Sequence, residues 1–259
     1  MAALATGHGC VDACQGAVAA MLPFMVHRHG LTLTEASALV LAATAASSIV
    51  QPLFGAYSDR ISAPWLLPGG VMLACAGVAA AGIAPSYPLV FVAVLLSGLG
   101  VAAYHPEGSR FANYVSGTRR ATAMSYFSLG GNAGFALGPL AVTPLLLLAG
   151  TPGAVAFLLP GALIGWLLWR RLPRLLSFRP APTALRESRS AVADSWGGFA
   201  GLLVVICSRT FAFYTLLALV PLYFITVLET SNAVANTALT AMLVSGCLLY
   251  TSPSPRDRS

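Results

Sequence analysis

Leu89-Val-Phe-Val-Ala-Val-Leu-Leu-Ser-Gly-Leu-Gly-Val-Ala-Ala-Tyr104-His105-Pro106-Glu107 decides the class of this chain. The run is apolar until its last three residues, and at about 1.5 Å per residue a helix of this length reaches roughly 25 Å, close to bilayer thickness. Strands of a membrane barrel would be half as long and would alternate apolar with polar residues. The stretch therefore reads as a membrane-crossing helix with ionisable groups near one end.

The rest of the chain repeats that pattern. Of 259 residues, 57% are hydrophobic and 8% charged, with mean hydropathy +0.79, too apolar for a soluble domain of this length. The formal charge of +6 comes entirely from arginine, and in a membrane protein such an excess reports topology and lipid headgroups rather than nucleic acid. Cys10, Cys14, Cys75, Cys207 and Cys247 all fall in apolar stretches without zinc or haem spacing, so they read as small packing residues and no metal or cofactor is expected. His8, Asp12 and Gln15 interrupt the first apolar stretch, which has no basic leader and does not read as a signal peptide.

Spans are expected at Ala3 to Val26, Ala36 to Tyr57, Trp65 to Ala84, Leu89 to Glu107, Ala121 to Ala149, Gly153 to Trp169, Gly198 to Tyr223 and Ala233 to Tyr250. Thr32-x-x-Glu35 before the second is a capping-box pattern, and Pro85-Ser-Tyr-Pro88 a tight turn. Residues 1–169 make a six-helix half, 170–195 an Arg, Pro and Ser-rich linker, and 196–250 the start of a second half. Thr251 to Ser259 breaks off abruptly and reads as a non-native tail, so the chain is expected to be a fragment. Loops after even-numbered spans hold Arg60, then Arg110, Arg119 and Arg120, then Arg170, Arg171, Arg174, Arg179, Arg186 and Arg189, whereas odd-numbered loops hold only Arg28. The N-terminus and even loops are thus expected in the cytoplasm, across a plasma membrane.

Ionisable groups within the spans follow a period of three. His8 and Asp12 lie in the first span, His105 and Glu107 near the end of the fourth, and Arg209 in the seventh. Such groups are costly in hydrocarbon and persist where they face a water-filled path, so the spacing suggests a transporter of three-helix repeats with one helix of each lining the path. His8 and Asp12 are one turn apart; either they exchange protons with the path or they cap and tie helices. The same alternatives hold for His105 and Glu107, where Pro106 is expected to weaken the helix. Arg209, too deep to reach the interface, needs a carboxylate, a carbonyl or an anionic substrate. Asp12 is one potential partner. Gln15 and Asn132 are further candidates for substrate contact, while Gln51-Pro52 and Asn132 also suit interhelical hydrogen bonding and kinks.

Three motifs carry a resemblance. Gly55-x-x-x-Asp59-Arg60 joins the second and third spans and resembles the loop signature of the major facilitator superfamily, in which glycine permits close helix approach and the charged pair ties helix ends together. Here Ile61-Ser-Ala-Pro64 replaces the basic residues that usually follow. Gly130, Gly134 and Gly138 share one face of the fifth span, a small-xxx-small packing device, and with Pro139 are similar to the superfamily's antiporter signature. Val94 stands where many members have arginine, while His105-Pro106-Glu107, Arg119-Arg120, His8-x-x-x-Asp12 and Arg209 resemble the fosmidomycin-resistance family of drug exporters.

The resemblance implies an all-α membrane bundle of the major-facilitator type, here its first six-helix half plus about two helices of the second. It also implies proton-coupled efflux of a small antibiotic-like compound by alternating access, with lipid, protons and a small molecule as partners. Two other readings remain. An intramembrane enzyme could use His8, His105 and Glu107 at a metal or acid-base site, although H-E-x-x-H spacing is missing. A non-transporting fragment or scaffold would fit the literal chain.

Overall fold

The computed structural model describes residues 1–180 and 195–230, together with positions 234, 238, 241 and 242. Most of the expected linker, nearly all of the eighth span and the Thr251 to Ser259 tail lie outside the described residues. The chain divides into two units, with the boundary between Arg179 and Pro180.

The first unit is helical throughout: α1 (Ala2–His29), α2 (Leu33–Ile49), α3 (Gln51–Arg60), α4 (Leu66–Ile83), α5 (Tyr87–Val115), α6 (Arg120–Ala149), a 3₁₀ segment (Thr151–Phe157) and α7 (Leu158–Leu176). Six stretches in it are long and apolar enough to cross a membrane, with α2 and α3 together forming one and the 3₁₀ segment and α7 another. In the second unit, α8 (Trp196–Thr226) covers the expected seventh span.

Local chemistry sets the boundaries. Gly30 ends α1 in the left-handed conformation (φ 62°), and Thr32 and Glu35 close as a capping box at the start of α2, satisfying amides the helix leaves open. The second span is two helices meeting at Val50, because Pro52 in the first turn of α3 has no amide hydrogen to continue the α2 ladder. Several helices outrun their expected ends. α5 passes through Pro106 to Val115, so this proline does not end the helix, and α7 continues beyond Trp169 to Leu176. α6 is continuous across Pro139 and Pro144. Arginine and leucine are good helix formers, so a helix extends past the apolar stretch that hydropathy detects.

Packing within the first unit pairs α1 most extensively with α6 and α4 with α5, while α5 also contacts α1 and α2. The α1/α6 contact is backbone against backbone. A Cβ on Gly134 would collide with the Gly9 carbonyl, one on Gly138 with that of Ala13 and one on Gly130 with that of Ala5. Gly9 of α1 has the reciprocal problem, its Cβ lying 2.9 Å from the Gly130 oxygen. Without a hydrophobic drive between helices in lipid, such close approach supplies dispersion contact that larger side chains would prevent. Gly55 differs: a Cβ there would lie 3.8 Å from the Cβ of Pro106. That is ordinary van der Waals spacing, so this glycine is not required by a close approach between α3 and α5.

Candidate functional site

The intimate α1/α6 contact brings α5 and α6 around the first turns of α1, and there three ionisable groups converge. His8 Nε2 lies 3.3 Å from Asp12 Oδ2, as the one-turn spacing allows. His105 of α5 completes the cluster, its Nε2 standing 3.4 Å from Asp12 Oδ1 and 3.1 Å from His8 Nε2. Side-chain exposures are 10% for His8, 15% for Asp12 and 22% for His105, so the group is mostly desolvated with an open rim.

The far nitrogens fix the tautomers. His8 Nδ1 is 2.8 Å from the carbonyl oxygen of Phe127, and His105 Nδ1 is 2.8 Å from that of Val101. A carbonyl only accepts, so each Nδ1–H donates and each neutral ring presents a bare Nε2 lone pair. Both lone pairs point toward the carboxylate of Asp12. Three acceptors then meet without a donor among them, a repulsive arrangement that one proton, on an imidazole or on the carboxyl group, converts into charge-assisted hydrogen bonds. Such an arrangement can accept a cation.

Its walls hold the rings in place. His8 stacks on Phe127, with centroids 4.1 Å apart and planes at 21°. Tyr104, fully buried, donates its hydroxyl to the Leu4 carbonyl at 2.6 Å and joins α5 to α1. Gly131 closes the α6 side: a Cβ there would come within 2.6 Å of Asp12 Oδ2 and His8 Nε2.

Glu107 does not join His105. Two residues apart on an α-helix point to opposite sides, and Glu107, 2% exposed, pairs with Arg110 at 3.0 Å. Arg110 also donates to the Ser58 carbonyl at 2.9 Å and pairs with Asp59 at 2.5 Å. Asp59 of the loop signature is thereby tied to α5, while Arg60 is exposed at the last turn of α3. Gln15 donates to Ser47 Oγ at 2.9 Å and links α1 to α2. Asn132 is exposed, and Pro139 sits against the α1 backbone at Gly16. Arg209 lies near the middle of α8.

Cys10 and Cys14 both contact Cys75, at 3.6 and 3.4 Å, deep in the core. Cys247 lies outside the described residues. At the opposite end of α1, Arg28 donates to the Gly82 carbonyl at 2.7 Å and to Thr151 Oγ1, joining α1, α4 and the 3₁₀ segment.

A six-span helical unit with ionisable groups on its first and fourth spans defines a polytopic membrane protein, and comparison with known families identifies which. Residues 4–254 match the model of the Major Facilitator Superfamily, and the chain belongs to that family of transporters rather than to an enzyme family. It is 36% identical over 156 residues to the uncharacterized MFS-type transporter YfnC of Bacillus subtilis, covering 60% of this chain and 38% of that protein. It is 32% identical over 177 residues to the fosmidomycin resistance protein of Escherichia coli, covering 68% of this chain and 43% of the relative. With the multidrug resistance protein MdtH of Shigella dysenteriae it shares 33% identity over 118 residues, 44% of this chain and 29% of the relative. The matched region thus spans less than half the length of each of these curated relatives.

Proposed function

We propose that the chain supplies the first half and the beginning of the second half of a proton-coupled secondary transporter that exports a small antibiotic-like compound by alternating access. The observation that carries this reading is the convergence of His8, Asp12 and His105 as acceptors with no donor between them. Loading one proton neutralises the carboxylate's repulsion with the lone pairs, and losing it restores the repulsion. A site of this kind can favour different helix arrangements in its two protonation states, which is what coupling requires. Its position in the first turns of α1 and past the middle of α5 leaves it nearer one end of the bundle than the other.

The orientation proposed is N-terminus in the cytoplasm of a bacterial-type plasma membrane. Arg110 with Asp59, and Arg179 with Ser62 at 2.5 Å, bring two of the even-loop arginines to the α3 end of the first unit, and arginine-rich loops stay on the cytoplasmic side. Substrate class is carried by the fosmidomycin resistance and multidrug resistance relatives. Arg209 would suit an anionic substrate such as a phosphonate, because a guanidinium makes strong paired hydrogen bonds to such groups.

Flux measured in proteoliposomes with the full-length transporter containing this chain tests the reading. An imposed proton gradient should drive fosmidomycin uptake into inverted vesicles with the unsubstituted protein, and Asp12→Asn should abolish that drive while leaving equilibrium binding of the drug. Undiminished gradient-driven flux in Asp12→Asn would refute proton coupling at this site.

A further inference from the structure

The same three side chains meet the geometric requirements of a metal site. We propose that His8, Asp12 and His105 bind a divalent transition-metal ion of the zinc type, which occupies the place of the proton.

The two imidazole nitrogens are 3.1 Å apart, and each faces a different oxygen of Asp12, His8 Nε2 the Oδ2 at 3.3 Å and His105 Nε2 the Oδ1 at 3.4 Å. Ligand atoms about 2.0 to 2.1 Å from one ion are separated by about 2.9 Å at octahedral and about 3.3 Å at tetrahedral angles, which the nitrogen pair and each nitrogen–oxygen pair already match, so an ion held by both nitrogens and the carboxylate requires only a side-chain adjustment of Asp12. One donor atom from each residue can be chosen with all three inside 4.8 Å. The donor set, two neutral imidazoles and one carboxylate, is a common set for zinc and similar ions.

The tautomers favour the same conclusion independently. Metal-ligating histidines donate their second nitrogen to a carbonyl or carboxylate, which orients the ring and raises its basicity. Both rings here do so, to Phe127 and Val101, and both expose the bare Nε2 that a metal requires. Asp12 Oδ1 is buried without a hydrogen-bond partner, and an ion at the centre of the cluster would coordinate it. The partial exposure of His105 gives an ion access to the cluster.

Among the described residues, His8, Asp12 and His105 are the group placed to hold an ion. The Tyr104 hydroxyl is spent on Leu4, α6 presents Phe127 and Gly131 at the contact, and the Cys10, Cys14 and Cys75 thiols are buried against one another. Metal and proton require the same lone pairs, so binding of one excludes the other. Metal binding stands on this geometry alone; that the ion would block transport rests on the proton reading above.

Cobalt(II) titration of the purified chain in detergent, followed by visible absorption, tests the proposal, with zinc as competitor. One equivalent should bind with nitrogen and oxygen ligand-field bands and be displaced by one equivalent of zinc. Affinity should fall at least ~10-fold between about pH 7 and about pH 5.5, as protons claim the imidazoles. His8→Gln and His105→Gln, each checked for folding by size-exclusion profile, should each lose at least ~10-fold in affinity, whereas Cys75→Ala and His27→Gln should bind as the parent does. No bound cobalt, full affinity in both folded histidine variants, or a sulfur-to-metal charge-transfer band lost in Cys75→Ala would each overturn the proposal. Proton-driven flux insensitive to zinc despite stoichiometric binding would leave the metal site standing and count against the proton reading alone.

Discussion

His8 and His105 meet through their Nε2 atoms at 3.1 Å although 97 residues separate them. Each ring is anchored at its other nitrogen to a backbone carbonyl, His8 to Phe127 of α6 and His105 to Val101 one turn back on its own helix α5. The contact is therefore set by three helices at once, and a shift of any of them changes the distance between the lone pairs. A proton or metal ion that holds the rings together would hold α1 and α5 together as well.

Gly134→Leu should destabilise the protein by more than about 1 to 3 kcal/mol, the usual cost of overpacking, because even a Cβ would meet the Gly9 carbonyl. Ala133→Leu, one residue round the helix, should cost much less. Thermal unfolding of both variants in the same detergent makes the comparison, and equal midpoints would remove the packing role from Gly134.

Gly55→Ala should be neutral or stabilising by up to about 1 kcal/mol, since alanine favours the helix and its Cβ meets only Pro106 at 3.8 Å. A clear loss of thermal stability would show that the loop-signature glycine is needed for backbone approach after all.

Arg110→Ala should cost about 3 to 5 kcal/mol, because it leaves the carboxylate of Glu107 buried without its cation. On a Glu107→Gln background the same substitution should cost far less, the remaining contacts being to the more exposed Asp59 and the Ser58 carbonyl. Additive effects of the two substitutions in denaturant unfolding would mean that the ion pair carries no coupling energy.

Gly131→Ala removes no ionisable group yet should impair proton-driven flux and cobalt binding by ~10-fold or more, since the methyl would press on Asp12 and His8. Flux and binding equal to those of the parent would show that the cluster tolerates displacement.

How legible the molecule was depended on whether a feature is local. The first six spans, the capping box at Thr32 and the i,i+4 relation of His8 to Asp12 are properties of one segment, and each could be read from spacing. His105 fell on the helix expected to line a path, but sequence adjacency grouped it with Glu107, and a helix sends such neighbours to opposite sides. Arg110, read only as a topology signal, became the partner of Glu107 and Asp59 through the α3/α5 contact. Gly131 lies beside the glycine face that was recognised yet turns toward the cluster, and the pairing of Phe127 with His8 has no signal in either segment alone. Helix ends ran past the apolar stretches because hydropathy marks hydrocarbon thickness, whereas a helix stops only where backbone chemistry stops it.

The convergence of two bare imidazole nitrogens on one carboxylate is tested most directly by nitrogen-15 spectroscopy of histidine-labelled protein, with His8→Gln and His105→Gln used for assignment. Both rings should carry their proton at Nδ1 at alkaline pH, and the pair should gain a single shared Nε2 proton as pH falls from about 9 to about 5, a step altered in Asp12→Asn. A neutral ring protonated at Nε2 with Nδ1 bare, or no protonation anywhere in that range, would contradict the convergence.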